Sequence, residues 1–231
     1  MSLTVIDAIP FQLDRAALFK RLRIKPGSHY VGEMQRLADE AKAIARPKAL
    51  YKVVFIDERG DDYVVVDGVR LSSRVLSVNL EPVHRVFPYV ATCGVELDAW
   101  AHAQEDVLYQ YWADIIKEMA VREAIQTLND HVTEQYGLGK MAAMAPGSLA
   151  DWPLPQQRPL FTILGDVKGA IGVELSDSFL MSPNKSVSGL RFATADDFAS
   201  CQLCPRENCP GRRAPYDDTL YDRKYRVSRN E

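Results

Sequence analysis

The sequence has no apolar run approaching the roughly 18 residues that a helix needs to cross a bilayer, so it predicts no membrane-spanning segment. It also has no surplus of positive charge: 28 Lys and Arg stand against 31 Asp and Glu, a formal charge of −3. Nucleic-acid-binding domains are usually strongly basic, so this balance argues against a nucleic-acid partner. Cysteine is scarce, 4 in 231 residues, and no disulfide framework is needed, because a chain of this length buries roughly 70% of its unfolded surface. No internal repeat and no low-complexity tract occur. The opening residues, MSLTVIDAIPFQLDR, are acidic where a secretory signal would be basic, and a cytoplasmic location is expected. What remains is ordinary globular composition, 47% hydrophobic and 26% charged.

Hydrophobic periodicity predicts helices over Asp14 to Leu22 and Tyr30 to Ala45, the second with Met34, Leu37, Ala38, Ala41 and Ile44 on one face. Strands are expected over Ala49 to Ile56 and Asp62 to Val66, joined as a hairpin, and over Arg85 to Cys93, with Pro88 at an edge or bulge. Leu97 to Tyr136 reads as one long helix or two in line. Its apolar stripe changes face near Ala120, which leaves Arg122, Glu123 and Gln126 facing either solvent or a cleft, where Glu123 could accept hydrogen bonds from a ligand. Beyond it come an Ala145-Pro146-Gly147-Ser148 turn and a helix over Gln156 to Leu164. Strand candidates Val173 to Met181 and Val187 to Ala193 follow, joined by a Ser182-Pro183-Asn184-Lys185 hairpin loop. Trp100 and Trp112 read as core, and His102 and His131 as surface.

Residues 141–164, MAAMAPGSLADWPLPQQRPLFTIL, and 174–193, ELSDSFLMSPNKSVSGLRFA, combine an Ala-Pro-Gly turn, a short helix, an L-x-x-S-F-x-M-x-P run and an S-V-S-G hairpin. In this order and spacing they resemble the reactivation domain of cobalamin-dependent methionine synthase. The likeness extends loosely back through the long helix and, before residue 90, to general layout. The resemblance implies an α+β fold with a twisted, mainly antiparallel sheet and packed helices. Within it, residues 1–90 would supply the N-terminal helices and hairpin, 91–198 the activation-domain-like core, and 199–231 a cysteine-bearing tail. It also implies S-adenosylmethionine as ligand, presented to cobalamin on a partner corrinoid protein or methyltransferase. The implied contacts are Ala145, Pro146 and Gly147 from the turn, Ser188 and Gly189 from the hairpin, and Glu123 as the acidic helix residue.

Three positions depart from the family pattern. Ala143 replaces an arginine suited to the ligand's carboxylate, Ser148 replaces a tyrosine, and Arg191 replaces an aromatic residue. Each lost contact is expected to cost about 1–3 kcal/mol of binding, and Arg191 is a candidate to replace the missing arginine from across the site. A non-catalytic metal-binding adaptor that keeps the fold without the methyl-donor site is the rival expectation.

The tail carries Cys201-x-x-Cys204-x-x-x-x-Cys209, with proline after the second and third cysteines. A two-residue gap lets a turn bring two thiolates onto one metal, so these three are metal-ligand candidates, with Cys93 as the possible fourth. Zinc and an iron–sulfur cluster both remain open. The distance of every histidine in sequence and the one-electron chemistry of the resembled family lean toward iron–sulfur. The basic segment from Arg212 to Arg229 reads as a solvated tail that wraps the domain or as a docking segment for an acidic partner.

Overall fold

The computed structural model describes residues 2–209 and 211–226. In chain order the elements are β1 (Leu3–Ile6), α1 (Arg15–Leu22), α2 (Val31–Ile44), β2 (Lys48–Lys52), β3 (Val54–Arg59), β4 (Tyr63–Val66), β5 (Val69–Ser72), α3 (Arg74–Asn79) and β6 (Arg85–Thr92). Then follow α4 (Val95–His102), α5 (Val107–Tyr136), β7 (Met141–Met144), α6 (Gln157–Leu164), α7 (Val167–Ile171), β8 (Glu174–Leu175), β9 (Met181–Ser182) and β10 (Ser186–Ala193). Among the described residues, eight of the strands form one sheet and every pairing in it is antiparallel. The expected α+β class with an antiparallel sheet and packed helices is what the chain adopts.

Local chemistry explains much of the element list. Asp14 caps α1 by accepting from the Ala17 amide at 3.0 Å. Asp67 and Gly68 both take positive φ, 50° and 74°, which is the two-residue turn whose twist matches a tight hairpin, and β5 therefore folds back on β4 with Val66 opposite Val69. That Asp-Gly signal would have revealed β5, which the periodicity reading passed over together with β1, β7, α3 and α7.

β6 organises the sheet. On one edge it pairs first with β3 and then with β2, and on the other with β10 along seven register positions. Its eight residues are buried apart from half-buried Arg85. Pro88 is thus in a central strand, not at an edge. It lies opposite the break near Val53, between the Tyr51–Tyr89 and Val54–Val86 pairs, where β2 hands over to β3. A proline cannot donate to a ladder, and a place where pairing is already interrupted tolerates it.

Both faces of the central strands β2 and β6 are covered. Ala49, Tyr51, Phe87, Tyr89 and Ala91 point toward α5, packing with Ala124, Leu128 and Val132. Leu50 and Val90 point the other way, onto Leu160, Leu164, Val167 and Ile171 of α6 and α7. The first half of α5, with Trp112, Ile115, Ile116 and Ala120, packs instead with α1, α2 and α4. The helix therefore passes from one core cluster to another, as the change of stripe near Ala120 requires. Arg122 and Gln126 face solvent and pair along the helix with Glu118 and Asp130.

The expected long strand over Val173 to Met181 does not form. Only the two-residue strands β8 and β9 pair there, with each other, and β10 takes its partners from β6 and β7 rather than from a hairpin with β9. Ser176, Asp177 and Ser178 offer local turn bonds that compete with a ladder: the Ser176 hydroxyl accepts from the Leu180 amide at 3.1 Å. As far as it is described, to Arg226, the C-terminal segment wraps the domain largely exposed but is anchored at one buried residue; Arg229 lies outside the described residues. Tyr225 is 1% exposed, its hydroxyl donates to Asn79 Oδ1 at 3.0 Å, and its carbonyl accepts from Arg74 Nε.

Candidate functional site

The Ala145–Ser148 turn follows directly from β7. Pro146 presets φ at the first central position and Gly147 takes φ +83° at the second, a conformation that favours glycine, while the Ser148 amide and hydroxyl both donate to the Ala145 carbonyl. Next to the turn, β10 runs between β6 and β7. By the two-residue period, Val187, Gly189 and Arg191 share the face toward α5, where Val187 packs with Ile125 and its neighbours. The third wall is the cysteine segment. Ser200 to Leu203 form one tight helical turn, and Leu203 and Cys204 pack on the core beside Phe198.

These walls enclose a cavity of about 520 Å³. Ala145, Gly147, Ser188 and Arg191 line it, as do Cys201, Cys204 and Cys209, so most of the sequence-derived candidates for ligand and metal meet in one place. From α5 it is lined by Ile125 and Asn129, which are four apart and so share a helix face. Glu123 is half-buried and does not line it. Cys93 does not line it either: it is fully buried among Leu97, Trp112 and Ile116, its thiol donates to the Gly94 carbonyl, and burial, aided by the charge of Asp98, pushes its pKa up to about 12. Pro146 is buried in the turn.

Gly189 does not line the cavity, but its lack of a side chain is needed for packing beside it. A Cβ there would meet the Met144 carbonyl oxygen at 2.5 Å and the Tyr89 ring at 3.0 Å. The missing side chain lets Tyr89, its register partner, lie across the strand and form part of the cavity wall.

Three residues that line the cavity carry a buried side-chain atom without a hydrogen-bond partner: Asn129 (Oδ1), Ser188 (Oγ) and Arg191 (Nε). Among the described residues seven side-chain atoms are orphaned in this way, and three of them belong to residues that line this cavity. Buried polar groups are nearly always paired, and a cluster that is not marks a place for a ligand or water. A neighbouring cleft of about 640 Å³, which shares Gly147, Ser148, Cys204 and Arg206 with the cavity and adds Leu149, Leu154 and Pro205, contains none of the orphaned atoms. Charge points the same way. Arg191, Arg206 and Arg213 line the cavity and, among the described residues, no carboxylate does. Burial lowers the Arg191 pKa from its ordinary value, opposed by Tyr89 and Asp130 and reinforced by Arg213.

The cysteine loop is held by Arg212, which sequence reasoning placed in solvent. Its guanidinium donates to the carbonyls of Cys201, Cys204 and Ala214, each at 3.0 Å, and also to that of Arg206. Cys201 Sγ accepts from the Arg213 amide at 3.4 Å. Burial would raise the Cys201 thiol, but the amides of Arg213 and Ala214 and the Arg213 charge outweigh it and hold its pKa below the ordinary value. The three thiols share a wall; among the described residues, however, no three Cys, His, Asp or Glu side chains are drawn together as a ligand set.

No protein-family profile matches the chain, and neither does any curated protein. Among solved structures it is similar to the crystal structure of the MetH reactivation domain bound to AdoHcy, with a TM-score of 0.61, 17% identity, and coverage of 87% of this chain and 81% of that one. The chain has the fold of the MetH reactivation domain. The overlap reaches well beyond the motif-bearing residues 141–193, so the N-terminal half, where the sequence resemblance was general, shares the fold too. Among the described residues no helix is long and apolar enough to cross a membrane.

Proposed function

We propose that this protein supports the reductive activation or remethylation of a separate cobalamin-carrying protein, holding S-adenosylmethionine as methyl donor in the 520 Å³ cavity. The orphaned polar atoms of Asn129, Ser188 and Arg191 carry this reading, because they mark a ligand site in a fold shared with a domain bound to AdoHcy. AdoHcy is what S-adenosylmethionine becomes on losing its methyl group. The cavity volume suits a nucleoside-sized molecule. Ile125, Val187 and Tyr89 supply apolar surface, and the Ala145–Ser148 turn brings backbone close. The methyl and electron steps belong to the partner's cobalt; this chain binds and orients the donor.

The thiols of Cys201, Cys204 and Cys209 are the proposed metal ligands. Three soft donors on one loop suit an iron–sulfur cluster or zinc, the former supplying one-electron chemistry and the latter closing the loop. Calorimetric titration with S-adenosylmethionine and AdoHcy should show stoichiometric binding, and absence of heat at millimolar ligand would refute the donor site. Iron, sulfide and zinc analysis of anaerobically purified protein decides the metal. Ala143 and Ser148, where the resembled family has arginine and tyrosine, favour a second reading, a metal-binding adaptor without the donor site. Metal without ligand heat would select it.

A further inference from the structure

We propose that Arg191 and Asn129 clamp the amino-acid end of the ligand, Arg191 taking the carboxylate and Asn129 Oδ1 the ammonium group. This rests on the reading of the cavity as a site for S-adenosylmethionine or AdoHcy. Arg191 offers a buried donor with no partner, and Asn129 a buried acceptor with no partner, on the same cavity. A single anion such as phosphate would answer the arginine alone. A zwitterion answers both atoms, and the α-amino acid group places its carboxylate and ammonium on one carbon. With three guanidiniums and, among the described residues, no carboxylate on the wall, the ammonium's natural acceptor here is the neutral carbonyl oxygen of Asn129.

The strand register explains why arginine sits at 191. Ala143 and Arg191 are direct partners between β7 and β10, and both line the cavity. On one face of an antiparallel pair, directly opposite side chains rise about 5 Å apart, so a guanidinium from either position reaches the same space. The arginine contact can thus be supplied from β10 while β7 carries alanine.

The test compares AdoHcy with 5′-deoxy-5′-methylthioadenosine, which has the same adenosyl sulfur but no amino-acid group. The native protein should bind AdoHcy about 10- to 100-fold more tightly than the truncated ligand. Arg191→Ala should abolish most of that preference while leaving affinity for the truncated ligand unchanged, and Asn129→Ala should reduce it less. Adding Ala143→Arg to Arg191→Ala should restore it. Arg191→Lys keeps a charge but not the fork, and should fall between if Arg191→Ala proves poorly folded. Equal binding of the two ligands by the native protein, or an intact preference in Arg191→Ala, would overturn the clamp and leave the donor site standing. Failure of both ligands to bind would remove the site itself.

Discussion

Arg191 stands directly opposite Ala143 across β10 and β7, with its Nε buried and unpartnered. Such a pair has room for one guanidinium, because like charges directly opposite on a sheet repel. Ala143→Arg in the native background should therefore cost about 1 kcal/mol of stability, and the penalty should vanish when Arg191 is alanine. Urea denaturation of the four proteins in this cycle measures the coupling; additivity would mean that the two positions do not meet.

Gly189→Ala should destabilise the fold by roughly 1–3 kcal/mol, since the new methyl meets the Met144 carbonyl at 2.5 Å, and backbone cannot yield as a side-chain end can. Pairing it with Tyr89→Ala should not restore full stability, because the carbonyl contact persists. Chemical denaturation distinguishes this from a defect confined to ligand binding.

Lys117 is 3% exposed and donates to Asp98 Oδ1 and Asn184 Oδ1, both at 2.9 Å, tying α5 to α4 and to the segment before β10. Lys117→Met leaves Asp98 largely buried without its cation and should cost roughly 3 kcal/mol. Adding Asp98→Asn should recover part of the loss. A thermal melt showing no change for Lys117→Met would mean the pair is dispensable.

Arg212→Ala removes the guanidinium that gathers the carbonyls of Cys201, Cys204 and Arg206. Alkylation of the three cysteines, followed by mass spectrometry, should accelerate several-fold and bound metal should fall. Arg213→Ala keeps the main-chain amide contact to Cys201 Sγ but removes the charge that lowers the Cys201 thiol, so alkylation of Cys201 should slow rather than accelerate.

Alkaline pH should destabilise the protein through Cys93. Its unfolded thiol loses a proton near the ordinary value of 9.0 while the folded one holds it to about 12, so the folded state binds more protons over that window. Stability then falls as pH rises, by up to about 1.4 kcal/mol per pH unit from this group. Tyr51, raised from 10.0 to about 12 chiefly by burial and the Tyr136 hydroxyl, acts in the same direction. Cys93→Ala should flatten the part of the decline that begins near pH 9, as read from denaturation midpoints between pH 8 and about 11.

Helices α1, α2 and α6 were legible because each has one apolar face and a local start or stop, such as the Asp14 cap. β6 and β10 were legible as β-rich runs flanked by turn residues, and the motifs around Ala145-Pro146-Gly147 pointed to the fold that the wider structural match bears out. Short β1 and β7 were not, since four residues hold no periodicity and their strand character comes from partners distant in sequence. The segment over Val173 to Met181 misled for the converse reason: its strand-forming residues pair only as the two-residue β8 and β9, and the turn between them satisfies its backbone locally.

For the candidate site, the sequence by itself determined the chemistry: which residues can bend at a turn, which thiols are spaced for a metal, and which contacts a resembled family would require. Tertiary structure decided which of them meet. It sent Cys93 into a core cluster, left Glu123 off the cavity, put Asn129 and Ile125 in its place and folded Arg212 over the cysteine loop. The physical reason is that a cavity wall is set by strand register and helix phase across elements far apart in the chain. Register is what stood Arg191 against Ala143, and no spacing within either strand encodes it.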